Sequence, residues 1–191
     1  DLMQETIPPE LAEIALDRVT GERFEKLAHV LVADTVGINF VPLGGHQDGG
    51  ADAFLEQQVW GSDRPRTFYQ FSVQQDHRAK IRHTCKRLRE FGRDVDFLVY
   101  VTSQVVAAID RDEDLLSTEL ATTVRIRDRR WVVANLNRSP NTISAGKAYL
   151  LPAVGFLDTF GAPGLIQSAG DVPRAVAVFL GQEIDRRRHS S

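Results

Sequence analysis

An aspartate at the end of a glycine-rich segment is the residue of this chain best suited to chemistry. The segment reads Gly44-Gly45-His46-Gln47-Asp48-Gly49-Gly50-Ala51-Asp52, and a later strand candidate carries Tyr69-Gln70-Phe71-Ser72. A carboxylate is a hard oxygen ligand that suits Mg²⁺ or Mn²⁺. The glycines do not form a Walker phosphate loop, because no Gly-Lys-Ser/Thr follows them. The segment by itself leaves two roles open for Asp52, a metal ligand and a plain turn residue.

A run of basic residues within an acidic chain is the second feature. The net charge is −3, yet residues 78–93 contain one acid, Glu90, and the basic residues Arg78, Lys80, Arg82, Lys86, Arg87, Arg89 and Arg93. Such a run on one helix can lie along a phosphate backbone. A solvated helix face explains the same charge pattern equally well, so the run alone leaves both interpretations open.

Composition limits the class of protein. With 191 residues, of which 42% are hydrophobic, the chain is long enough for one domain with a substantial core. No apolar stretch approaches the roughly 20 residues that span a bilayer, and the first residues lack the pattern of a secretory leader. The only cysteine, Cys85, excludes an internal disulfide and a cysteine-clustered zinc site. We therefore expect a cytoplasmic protein that does not enter membranes.

Hydrophobic periodicity predicts the elements that must position these residues. Two helices open the chain, at about residues 10–19 and after an N-cap at Thr20, and the second carries Glu25 beside a core-facing stripe of Phe24, Leu27, Ala28, Leu31 and Val32. Short strands are predicted at residues 38–42, 51–57 and 67–73, as an antiparallel hairpin or meander. Asp76 is expected to cap a long helix that bears the basic run.

The remaining elements alternate between strand and helix. The apolar stretch at residues 95–102 predicts a central strand, followed by a helix at 104–120, a strand at 123–127 and a short helix at 129–136. An antiparallel start followed by alternating elements predicts a mixed sheet in an α/β domain. We expect residues 1–138 to form this core, and residues 139–191 to form a helical extension packed on it, with helices near 143–160 and 172–188.

Together, these motifs resemble the Mrr-like branch of the PD-(D/E)xK restriction-endonuclease-like superfamily. The resemblance rests on the helix with Phe24-Glu25, the sequence Asp48-Gly49-Gly50-Ala51-Asp52 and the strand with Gln70, and covers roughly residues 20–136. It implies a core in the order α-β-β-β-α-β and metal-dependent cleavage of phosphodiester bonds. By this resemblance, Asp52 and Gln70 are metal ligands for Mg²⁺ or Mn²⁺. Glu25 completes the set, directly or through water, and the Phe71 backbone carbonyl is a further candidate.

The chain departs from the family pattern at the catalytic lysine. The family has Gln-x-Lys, whereas Ser72 stands at the lysine position and cannot supply a positive charge. Two interpretations follow: a lysine or arginine on the next helix replaces it, with Lys80 the first candidate and Arg78 the next, or the site is inactive. The stretch from Gln70 to Ile81 is similar to nuclease-like domains at the front of bacterial NTPase defence proteins.

The resemblance implies an endonuclease domain acting on double-stranded DNA in restriction or anti-phage defence, as the effector of a larger protein, with a homo-oligomer as one form it can take. Arg78, Arg82, Lys86 and Arg89 are the predicted contacts to the DNA backbone, which position a duplex without reading its sequence. The alternative is a catalytically inactive module that binds DNA or partner domains. Ser72 and the negative net charge favour that alternative.

Overall fold

The computed structural model describes residues 5–37, 40–42, 53–55 and 67–155, and in these ranges helices cover both faces of a sheet. The helices are α1 Pro9–Arg18, α2 Gly21–Val36, α3 His77–Glu90, α4 Ile109–Leu120, α5 Arg129–Asn135 and α6 Pro140–Ala145. The strands are β1 Phe40–Pro42, β2 Ala53–Leu55, β3 Thr67–Ser72, β4 Phe97–Thr102 and β5 Thr123–Arg127. Within the described ranges, no helix combines the length and apolar character needed to cross a membrane.

The sheet is mixed, as the order of elements predicted. Its strands lie in the order β1-β2-β3-β4-β5, with β1, β2 and β3 antiparallel and β3, β4 and β5 parallel. Ala53 of β2 pairs with Tyr69 of β3, and Gln70 of β3 pairs with Tyr100 of β4. The prediction of a mixed α/β domain with an antiparallel start is therefore confirmed.

Alternate residues of β3 enter two separate cores, because successive strand side chains point to opposite faces. Tyr69 and Phe71 pack with α1 and α2, in a core that includes Phe24. Phe68 packs on the other face with α3, α4 and β4. Gln70 and Ser72 have the same strand phase as Phe68, so they face the α3 layer, opposite the layer of α2.

The helices that flank the candidate residues begin and end as their sequences predicted. Thr20 caps α2 by accepting a hydrogen bond from the Arg23 amide, and the predicted stripe of five apolar residues in α2 is buried. Gly37 ends α2 with a φ of 84°, a conformation that favours glycine. Asp76 caps α3, where its carboxylate accepts from the Ala79 amide at 2.9 Å. The boundaries of both helices thus follow from local capping chemistry.

The start of α4 differs from the prediction. A helix was expected from residue 104, but α4 begins at Ile109. Tertiary hydrogen bonds hold the preceding segment: the Val106 amide donates to Asp128, and its carbonyl accepts from Arg130. The Gln104 amide in turn donates to the Thr102 hydroxyl. These tertiary contacts involve backbone groups of the predicted first helical turn. A prediction from helix propensity alone therefore places the start of α4 too early.

The C-terminal extension is helical where the structure describes it. Ser139 and Thr142 form a reciprocal capping box at the start of α6. A π-helical turn at Gly146–Leu150 and a 3₁₀ turn at Leu151–Val154 continue the chain against α1 and α2. The helix predicted near residues 172–188, and the end of the one predicted at 143–160, lie outside the described residues.

Candidate functional site

Asp52, the central predicted ligand, lies outside the described residues, whereas Ala53, the next residue in the sequence, begins β2. Ala53 pairs with Tyr69, the residue before Gln70. The antiparallel register of β2 and β3 thus relates the start of β2 to the strand that carries Gln70.

Gln70 is buried, with 3% of its surface exposed, and its amide is held at both ends. Its Oε1 accepts a 2.8 Å hydrogen bond from the Thr84 hydroxyl of α3, and its Nε2 donates to the Phe71 carbonyl at 3.1 Å. The amide is thus bonded to α3 through its oxygen and to its own strand through its nitrogen. The Phe71 carbonyl, itself a predicted ligand, already accepts this one bond.

Ser72 and Thr102 end two neighbouring parallel strands in the same way. The hydroxyl of each accepts a 3.1 Å hydrogen bond from the amide two residues later, that of Gln74 or of Gln104. The two residues are register partners at the carboxyl ends of β3 and β4. Ser72, which stands where the family has its lysine, therefore terminates a strand and brings no charge to this edge.

Tyr100 adds a buried phenol to the same face. Its hydroxyl is inaccessible to solvent and has no hydrogen-bond partner among the residues that the structure describes. Burial raises the pKa of Tyr100, while the hydroxyls of Ser72 and Thr102 lie near enough to oppose that shift without reaching hydrogen-bond geometry. An unpaired phenol beside Gln70 is a polar group for which the predicted site had assigned no role.

Lys80 lies in the α3 layer, on the same side of the sheet as Gln70. It is partly buried, and it forms no side-chain hydrogen bond or ion pair with any residue that the structure describes. Thr84, which contacts Gln70, is one turn further along α3, about 6 Å along the helix axis.

Glu25 lies in the opposite layer from Gln70. The carboxylate is half-exposed on α2, 3.7 Å from Nε2 of His29, and the His29 ring packs edge-on against Phe71 at 4.9 Å. Burial lowers the pKa of His29, and the neighbouring Glu25 partly opposes this shift. The structure does not bring Glu25 and Gln70 together on one face of β3.

Arg78, the first of the four predicted DNA contacts, is tied to α4. Asp112 of α4 is buried, and its two carboxylate oxygens meet Arg78 Nη2 at 2.5 Å and His77 Nε2 at 2.6 Å. The Arg78 hydrogen bond is the main reason that the pKa of Asp112 is lowered; burial opposes it and His77 supports it. Asp112 therefore joins the first turn of α3 to α4.

The other three predicted contacts differ in how firmly they are held. Arg82 forms two hydrogen bonds to Glu119, at 2.7 and 2.9 Å, and both side chains remain exposed. Arg89 donates to the Leu120 carbonyl and the Thr122 hydroxyl at the end of α4. Lys86 is 75% exposed and lies 3.8 Å from Glu90.

The sequence interpretation missed the acidic partners of the basic helix. Asp112 and Glu119 are seven residues apart, so they lie on one face of α4, and that face packs on α3. The seven-residue spacing of these two acids, together with the basic run on α3, is the feature of the sequence that could have predicted the pairing of the two helices. Thr84 is buried on the inner side of α3, and its bond to Gln70 depends on the tertiary fold.

Comparisons with known proteins leave the family unassigned. Neither a scan against protein-family models nor a search of the curated proteins found a match to this chain. Among the residues that the structure describes, no three His, Cys, Asp or Glu side chains converge as a metal site, and Asp52 is not among those residues. Any functional assignment therefore rests on the motifs and on the geometry around Gln70.

Proposed function

We propose that this chain is a metal-dependent endonuclease domain that hydrolyses phosphodiester bonds of double-stranded DNA. The supporting observation is the β2–β3 register, in which the residue after Asp52 pairs with the residue before Gln70. The order of motifs, an acid, then a strand with an amide, then a helix with a cation, resembles that of the restriction-endonuclease-like fold. The α-β-β-β-α-β order of the described elements is compatible with that fold.

The proposed metal ligands are oxygen donors. Asp52 supplies a carboxylate and Gln70 its side-chain carbonyl oxygen, whereas Glu25 lies in the opposite layer from Gln70 and is left out of this set. These donors fit Mg²⁺ or Mn²⁺, which prefer oxygen ligands and retain several waters. When bound, such an ion lowers the pKa of a coordinated water and stabilises negative charge on the scissile phosphate. Thr84 holds the Gln70 amide in position.

Lys80 is the proposed replacement for the family lysine. It lies in the same layer as Gln70, and within the described part of the chain its ammonium group is not neutralised by an acid. A flexible lysine can present its charge to a phosphate oxygen as substrate binds. Arg78, the second candidate, is paired with the buried Asp112 instead. This difference favours Lys80 over Arg78 as the cation of the site.

The proposed setting is restriction or anti-phage defence, with this domain as the effector of a larger protein. The outer face of α3 is the proposed DNA surface, and Lys86 is the predicted contact left most exposed. Backbone contacts of this kind position a duplex irrespective of its sequence. A homo-oligomer in the cytoplasm, which would present two such sites to the two strands, belongs to the same proposal.

A catalytically inactive DNA-binding or protein-interaction module is the second candidate. It is favoured by Ser72, which brings no charge to the lysine position, and by Gln70, whose amide is already satisfied within the protein. In that case the polar groups near Gln70 would stabilise the fold, and the basic face of α3 would remain a binding surface.

Metal-dependent stabilisation separates the two candidates. An ion that binds only the folded state stabilises it by about 2.7 kcal/mol at 100 times its Kd, which raises the melting temperature by several degrees. We expect Mn²⁺ to raise the melting temperature of the wild type but not of Asp52→Ala. The exposed Asp114→Asn is the matched control and should keep the shift. No shift in the wild type would contradict the metal site and favour the inactive module.

A further inference from the structure

Three cross-links between α3 and α4 engage basic residues of the proposed DNA surface, and they differ in accessibility. At one end the buried Asp112 holds Arg78 and His77, and at the other end Arg89 donates to the last carbonyl of α4. The Asp112 carboxylate is buried, so breaking its contact with Arg78 would leave a charge inside the fold short of a partner. Arg89 also donates to the hydroxyl of the buried Thr122, so its cross-link likewise reaches into the fold.

The middle cross-link, between Arg82 and Glu119, is of a different kind. The two side chains are 42% and 43% exposed, so water can reach both partners if the pair opens. Exposed ion pairs contribute little to stability, because solvation of the separated charges nearly offsets their attraction. Arg82 is therefore the cross-linked cation of α3 that can exchange its partner at little cost to the fold.

The geometry of the pair indicates which ligand can replace Glu119. The guanidinium of Arg82 donates through Nε and Nη2 to the two oxygens of one carboxylate. The same fork matches two oxygens of a phosphate, which carries charge of the same sign. Lys86 follows one turn later, about 6 Å along the helix, and can contact a second phosphate.

We propose that Arg82 is a phosphate-binding position of the α3 surface, and that Glu119 occupies this position until a DNA backbone phosphate displaces it. This inference rests on the proposed DNA partner but not on catalysis. Glu119 competes with the duplex for one guanidinium, which weakens binding and leaves the fold intact. Arg78 and Arg89 remain structural cross-links and take no part in the exchange.

The test measures the affinity of the whole chain for a short fluorescent DNA duplex in EDTA, so that no cleavage occurs. We expect Glu119→Gln to tighten binding about two- to fivefold, the range set by release of an exposed ion pair. Arg82→Ala should weaken binding and reduce the slope of log K against log salt by about 0.9. In the Arg82→Ala background, Glu119→Gln should not change the affinity for DNA, because the guanidinium group that Glu119 occupies is then absent.

Glu22→Gln is the matched control, because it removes the same charge from an exposed 2.8 Å pair with Lys26 on α2, in the opposite layer. An equal gain from Glu22→Gln, or a gain from Glu119→Gln that persists with Arg82→Ala, would overturn the inference, because the effect would be one of net charge. Failure of the wild type and Glu119→Gln alike to bind DNA would overturn the proposed partner together with it. Binding that Glu119→Gln does not alter would overturn the inference alone.

Discussion

The hydroxyl of Thr84 donates a 2.8 Å hydrogen bond to Oε1 of Gln70 and thereby joins α3 to β3 inside the α3 core. The Phe71 carbonyl can only accept, so the Nε2 end of the amide must face it and Oε1 must face Thr84. This bond sets the direction of the oxygen that we propose as a metal ligand. Replacing Thr84 would therefore remove the hydrogen bond that orients the Gln70 amide.

Replacement of Thr84 by Val should destabilise the protein by about 1–2 kcal/mol. Valine keeps the shape but removes the donor, which leaves the buried Gln70 oxygen short of a partner. Urea unfolding measures the difference. Thr35→Val is the control, because Thr35 is an exposed residue whose hydroxyl makes a similar 2.9 Å hydrogen bond within α2, to the Leu31 carbonyl. Equal midpoints for Thr84→Val and the wild type would show that the bond contributes nothing.

Replacement of Tyr100 by Phe should leave the stability unchanged or raise it by about 1 kcal/mol. The substitution removes a buried hydroxyl that has no hydrogen-bond partner within the described part of the chain, and burying such a group unpaired is costly. The free energy of unfolding from urea titration is the measurement. A loss of more than about 1 kcal/mol would mean that the phenol has a hydrogen-bond partner, such as a buried water.

Replacement of Asp112 by Asn should destabilise the protein at pH 7 by about 1.5–3 kcal/mol, because two charge-assisted hydrogen bonds are weakened. Hydrogen bonding to Arg78 lowers the folded-state pKa of Asp112. Its contribution to stability is therefore complete above the unfolded pKa of about 3.9 and is lost as pH falls through the folded pKa.

The difference in the free energy of unfolding between Asp112→Asn and the wild type should consequently become smaller below about pH 4. Urea midpoints measured from pH 7 to pH 3 test this, with Asp114→Asn as an exposed control on the same helix. A gap that stays constant over this range would contradict an ionised Asp112 as the source of the stabilisation.

Replacement of Gly146 by Ala should destabilise the protein by about 1–2 kcal/mol through overpacking. A Cβ at this position would lie 2.3 Å from Cδ1 of the buried Ile7 and 3.2 Å from Leu136. Ile7→Val removes that Cδ1 and costs about 0.5–1.5 kcal/mol by itself. The double variant should be no less stable than Ile7→Val alone, as measured by thermal unfolding. If the losses of stability of Gly146→Ala and Ile7→Val simply added in the double variant, Ile7 would not be the residue against which the new Cβ packs too closely.

Local patterns were sufficient to predict most elements of this fold. The apolar stripe of α2, the caps at Thr20 and Asp76, and the strand at Thr123–Arg127 all depend on residues close in sequence. The early start predicted for α4 failed because Asp128 and Arg130, on a later part of the chain, bind the backbone of Val106. Such long-range contacts override helix propensity and leave no local signal.

The arrangement of the candidate site was less predictable than its residues. Strand alternation places Gln70 and Phe71 on opposite faces, but which helix covers each face is decided by the crossover from β3 through α3 to β4. That topology puts Gln70 against α3 and leaves Glu25 in the other layer, with α2. The pairing of Asp112 and Glu119 with α3 likewise required the packing of two helices.

The most direct test of the nuclease proposal is cleavage of supercoiled plasmid by the purified chain in Mg²⁺ or Mn²⁺. Asp52→Ala and Lys80→Ala are compared with Lys26→Ala, which removes the same positive charge from the exposed face of α2. We predict nicking or linearisation by the wild type and Lys26→Ala, and its loss in both site variants. Absence of cutting by the wild type with either metal, or cutting that persists in Asp52→Ala, would contradict the account.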